Sequence, residues 1–171
     1  MTQVGPQTAL AALESALVEE FRTLQVLVTL GRDERRALAD GDWPAVEALL
    51  PRKAAAQNDL ARLELARREA LQVWAEAAGG TPAPLALSDL LSMVEASVAQ
   101  RLAHLRAGIL SLTTELGSLN RGNRSLAALA LERVAAVRDF LVDLSQPTIS
   151  YQPFKAGVPQ PGAALAVEQW A

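Results

Sequence analysis

The chain has 171 residues, half of them apolar, but only three Phe, three Trp and one Tyr, and its net charge is −3. The absence of cysteine excludes disulfides, thiolate metal sites and cysteine nucleophiles, and the acidic balance offers no basic surface for a phosphate backbone. Ala and Leu dominate the apolar residues, and both are strong helix formers, whereas the β-branched and aromatic residues that suit strands are sparse. An all-α fold is expected.

At the N-terminus, MTQVGPQTALAALESALVEE has no basic stretch ahead of its apolar residues and meets Glu14, Glu19 and Glu20 early, so it does not read as a signal peptide. No apolar run is long enough to span a membrane, and the lack of cysteine permits a reducing cytosol. From Thr8, a candidate cap, to about Asp40 the residues Leu10, Leu13, Leu17, Phe21, Leu24, Leu27, Val28 and Leu38 recur at helical spacing. ADGDWPAVEALL then supplies a stop and a restart: Gly41 suits a left-handed helix end, Pro44 suits a first turn, and Asp42 or Trp43 caps it. So short a connection predicts an antiparallel hairpin. The second helix runs through Val46, Leu49, Leu60, Leu63 and Trp74 to about Ala78, with Pro51 expected to kink or split it, because proline lacks an N–H and crowds the carbonyl of Glu47. The hairpin accounts for residues 1–78, and GGTPAPLAL, residues 79–87, reads as a linker.

Ser88 is the candidate cap of a third helix over residues 88–144. One heptad position reads Leu91, Val98, Leu105, Leu112, Leu119, Leu126; a second reads Leu102, Ile109, Leu116, Asn123, Ala130, Val137, Leu144. These are the d and a positions of a coiled-coil-like helix. With no Pro to interrupt it, the segment would be a rod of about 85 Å. Part of so long a seam must face the hairpin, another copy of the chain, or a different protein. From residue 145 to 171 the character changes: SQPTISYQPFKAGVPQPG holds four prolines and two glycines in eighteen residues, which predicts a flexible Pro-rich tail. A last stretch, AALAVEQWA, carries Leu165, Val167 and Trp170.

The polar passage LNRGNRSL, residues 119–126, lies inside this third helix. Asn123 takes an a position, where Asn sets register and oligomeric state at a cost in stability, so Asn123→Leu is expected to raise stability. Gly122 adds a cost of about 1 kcal/mol relative to Ala. Two costly residues side by side point to a local requirement, either close helix packing or ligand contact. The only histidine, His104, falls at an outer c position without a second ligand beside it. Glu19 and Glu20 are sequence neighbours whose side chains diverge on a helix, so they are no acid/base pair. No catalytic constellation, cofactor site or metal site is read from the sequence.

The order of features resembles the FlgN family of flagellar export chaperones. In the segment ERRALADGDWPAVEALLPRKAAAQNDLARLELARR the matching positions are Glu34, Ala37, Leu38, Asp40 or Asp42, Val46, Leu49, Lys53, Leu60, Leu63 and Arg67. More specific is the series Leu119, Asn120, Asn123, Leu126, Arg133, Pro147, Thr148 and Tyr151, which follows the family's Leu-Asn and Asn-Gly pairs, arginine-bearing helix, Pro/Thr passage and Tyr-Gly motif. Arg124 and Gln152 stand where the family has Gly, and the extension after Gly157 lies beyond the likeness. The resemblance implies a cytoplasmic, non-enzymatic chaperone that holds hook–filament junction proteins of the FlgK/FlgL type through the C-terminal helix of each client, with components of the export apparatus as further partners. The client site expected on this basis comprises Leu119, Asn120, Asn123, Leu126, Ala130, Val134, Val137, Leu141 and Tyr151, with homodimerisation over the exposed seam in the absence of client. The alternative from residue pattern alone is a structural coiled-coil or adaptor protein dimerising through the third helix. A lipid-surface role ranks behind both, because residues 88–144 carry six Arg against six Asp and Glu.

Overall fold

A computed structural model describes residues 5–79 and 86–145. Four helices occur among them: α1 (Pro6–Asp40), α2 (Trp43–Ala77), α3 (Leu87–Leu91) and α4 (Ala96–Ser145). The chain divides into two compact units, Met1–Val134 and Ala135–Ala171, so the boundary falls inside the last helix.

In the first unit α1 and α2 form the expected hairpin. Gly41 adopts φ 71°, a left-handed conformation open to glycine, and ends α1. The Asp42 side chain then accepts from the Ala45 N–H at 3.0 Å and starts α2. Two ion pairs give the register: Glu20 with Arg67 at 3.0 Å and Glu34 with Lys53 at 2.7 Å. Numbers rise along α1 as they fall along α2, as an antiparallel pair requires.

Three local expectations are corrected. First, α1 begins at Pro6 after Gly5 and not at Thr8, since proline is favoured in a first turn, where its missing N–H has no helical partner. Second, Pro51 does not split α2, which runs unbroken from Trp43 to Ala77; it lies in the helix interior, and packing on α1 outweighs the bond it forfeits. Third, the long third segment is two helices. α3 starts at Leu87, where the Asp89 carboxylate accepts from the Ala86 N–H at 3.0 Å, and it stops within two turns as the Ser92 hydroxyl and N–H both bond to the Asp89 carbonyl. After the turn α4 continues for 50 residues and passes through Gly122 without a break.

Within the first unit α4 lies parallel to α1 at a constant sequence offset. Glu14 pairs with Arg101, 87 residues on. A Cβ built on Gly108 would meet the Phe21 ring, and one on Gly122 would meet the Arg35 guanidinium, the same offset again. These positions recur at multiples of seven, the repeat of side chains meeting across parallel helices. Leu13, Leu17, Leu71, Trp74, Leu90 and Leu102 form the main core, while Leu27, Leu30, Leu49 and Ala56 form a smaller one nearer the hairpin turn. Since α1 ends at Asp40, the same offset leaves residues 128–134, the last of α4 in the first unit, without a counterpart on α1. Most of the expected linker and all of the expected tail but Ser145, which ends α4, lie outside the described residues, Tyr151 among them.

Candidate functional site

The polar passage 119–126 is where α4 is keyed to the hairpin. Leu119 is buried against Gly31: a Cβ on Gly31 would lie 3.4 Å from Leu119 Cδ1, so the small residue sets the helix separation. One turn on, Asn123 is 4% exposed, and its Nδ2 donates to the Gly31 carbonyl at 2.9 Å and to Glu34 Oε2 at 2.6 Å. The same carboxylate oxygen accepts from Lys53 Nζ. Residues of α1, α2 and α4 therefore meet at one junction. Both atoms facing Nδ2 are acceptors, which fixes the amide orientation. Asn123 Oδ1 is buried with no hydrogen-bond partner among the described residues, and such a group costs more than it contributes unless position is what it secures.

Electrostatics extend the keying along α1. Arg101 holds the Glu14 carboxyl below its ordinary range, chiefly through a charged hydrogen bond, and Arg32 pairs with Glu115 between the same two helices. Burial pushes the Glu20 carboxyl up, against the opposing pull of Arg67. Glu20 and Arg67 border a cleft of about 170 Å³ shared with Arg106, Ile109 and Leu110. Among the described residues no group of three or more His, Asp and Glu is placed to hold a metal ion.

The second unit presents a different surface. Over Ala135–Ser145 every described residue is exposed, and Val137, Phe140, Leu141 and Leu144 recur at i, i+3, i+4 and i+7, one face of a helix. Phe140 is 63% exposed and Leu144 is 65% exposed. The four form a contiguous row of exposed large apolar side chains.

Of the residues expected at a client site, Leu119 and Asn123 are internal, and their contacts are with α1. Asn120 and Val134 are exposed in the first unit, with Leu126 and Ala130 half-buried. Val137 and Leu141 are exposed in the second unit. Phe140 was missed, although it continues the series Leu112, Leu119, Leu126 after Arg133 interrupts it. Extending the d position past one charged residue would have found it.

No curated protein and no solved structure matches the chain. The pattern of the family described as FlgN protein matches residues 1–156, nearly the whole chain. Thus the chain belongs to the FlgN family, the non-catalytic, cytoplasmic chaperones of flagellar type III export.

Proposed function

We propose that this protein holds hook–filament junction proteins of the FlgK/FlgL type in an unassembled, export-competent form by seating the C-terminal helical segment of the client on the apolar stripe of its second unit. The bare row Val137, Phe140, Leu141 and Leu144 carries this reading. An amphipathic client helix offers apolar residues at the same spacing, and a helix laid along such a face buries both rows. The stripe exposes on the order of 400 Å², and its burial at about 25 cal/mol per Å² is worth roughly 10 kcal/mol before docking and ordering costs are subtracted. That leaves room for a firm but reversible complex, as a chaperone that must release its client needs. In the first unit, Asn120, Leu126, Ala130 and Val134 are separate candidate contacts. Leu119 and Asn123 act through the register of α4, and Tyr151 stays a candidate from the family likeness alone.

The test is calorimetric titration with the C-terminal helical fragment of a hook–filament junction protein. Val137→Asp places a charge in the row and is expected to weaken binding at least tenfold, with helix content and unfolding midpoint unchanged. Undiminished affinity would remove the stripe as the client site.

A further inference from the structure

We propose that residues 163–171 of this same chain fold over the apolar stripe of the second unit and compete with the client for it. The idea rests on the client-site reading above and adds the regulation of that site.

The stripe demands a cover of particular chemistry: a short run of aliphatic or aromatic side chains at helical spacing, with few charges. AALAVEQWA supplies it, since Ala163, Ala166, Val167 and Trp170 fall at i, i+3, i+4 and i+7, and Glu168 is its single ionisable side chain. The match is in length as well as pattern, for seven residues separate Val137 from Leu144 and Ala163 from Trp170. The family pattern ends at residue 156, so this segment lies outside what the chain shares with its family.

Reach is ample. Residues 146–162 connect the stripe to the segment, and a chain of that length has an r.m.s. span of roughly 20–25 Å, while the stripe from Val137 to Leu144 covers only about 10 Å of helix. The proline-rich composition of that connection opposes extension of α4 through it and favours a separate second piece. A tether of this length holds the segment at an effective concentration of about 1 mM. Cover therefore needs an intrinsic affinity of only that order, within reach of a nine-residue helix that forms on contact.

A second copy is the weaker occupant. A stable interface buries about 800 Å² on each partner, roughly twice what the stripe exposes, and a second copy enjoys no tether. Competition is modest: an intrinsic Kd of about 0.25 mM against that effective concentration gives a closed-to-open ratio of about 4:1 and lowers the apparent affinity for client about fivefold.

The experiment uses methyl-labelled full chain observed by NMR, which keeps every stripe side chain native. Expected are contacts between the Trp170 indole and the methyls of Val137 and Leu141 that do not vary with protein concentration, and a common shift of those methyls when residues 158–171 are deleted or Trp170→Asp is introduced. Unmoved methyls in both variants would overturn the proposal, and contacts that grow with concentration would give the stripe to a second copy instead. In parallel, calorimetry with a junction-protein C-terminal fragment should show about fivefold tighter binding after the deletion. If the methyls shift and Val137→Asp abolishes fragment binding but the deletion does not tighten it, competition is refuted while the client site stands. If the methyls shift and Val137→Asp leaves fragment binding intact, the cover stands and the client-site reading falls.

Discussion

Residues 96–123 and 131–145 of α4 are written in the same heptad code and live in different surroundings. In the first stretch Leu102 is fully buried and Asn123 nearly so; in the second every residue is exposed, Leu131 and Phe140 among the most. What separates them in the first unit is length: α1 provides 35 residues against the 50 of α4, and the register fixed by Glu14 with Arg101 is used up near Ala127. A heptad pattern shows that a seam exists, and the length of α1 decides how much of the seam α1 covers within the first unit.

The largest test of this contrast is a pair of matched truncations. Leu102→Ala removes a fully buried side chain from the main core and is expected to cost about 2–5 kcal/mol. Leu141→Ala, the same chemistry on the exposed stretch, should change unfolding free energy by no more than about 0.5 kcal/mol while weakening client binding. Urea unfolding of both variants measures it. Equal losses would mean that the second stretch is packed in solution.

Asn123 sharpens the comparison, because it is where the sequence reading and the fold part company. On heptad logic alone Asn123→Leu should raise stability. The junction reverses the sign: Leu satisfies neither the Gly31 carbonyl nor Glu34, and it leaves the Glu34 carboxylate, 13% exposed, with Lys53 alone. A loss of about 1–3 kcal/mol is expected, read as a lower urea midpoint at unchanged slope. A raised midpoint would show that the polar contacts do not hold α4 in place.

Much of the hairpin was legible because its signals are local. Gly41, Asp42 and Pro44 specify a stop and a restart within a few residues, and the structure follows them. The long seam was legible as a pattern, and so was Val137 as an outward residue. What could not be read was anything that depends on the offset between α1 and α4: the burial of Asn123, the close approach at Gly31, and the point where cover ends. The break between α3 and α4 was hidden for a different reason. The Ser92 hydroxyl donates to the Asp89 carbonyl as one helix ends, and the Ala99 N–H donates to the Glu95 carbonyl as the next begins, at residues that also occur inside helices.

Close approach offers a smaller test. A Cβ on Gly108 would stand 2.6 Å from the Phe21 ring, so Gly108→Ala must displace the ring; the helix-propensity gain of about 1 kcal/mol is outweighed by overpacking of about 1–3 kcal/mol. Gly117→Ala is the control, since its nearest neighbour is the end of Arg121 at 3.6 Å, and it should gain up to about 1 kcal/mol. Opposite signs in thermal unfolding would show that α4 sits on α1 in the register described, and a gain at both positions would disprove that contact.

The smallest expected effect lies in two acids of α1 whose shifts oppose each other. Burial raises the Glu20 carboxyl, so the folded state holds that proton to higher pH than the unfolded chain, and the contribution of Glu20 to stability falls as pH rises from the unfolded value, about 4.3, through the folded one. The hydrogen bond from Arg101 lowers Glu14, so its contribution is present above the unfolded value and is lost as pH falls through the folded one. Gln at position 20 imitates the protonated form that burial favours. Glu20→Gln should therefore be as stable as the parent near pH 4 and more stable at pH 7, by less than about 1 kcal/mol because Arg67 already offsets part of the burial cost. Glu14→Gln should show the reverse trend, equal to the parent in strong acid and weaker at neutrality, with a difference that shrinks in high salt because Arg101 is largely solvated. Parallel stability curves for Glu20→Gln and the parent between pH 4 and pH 7 would mean that Glu20 is solvated, and that α1, α2 and α4 do not close over it.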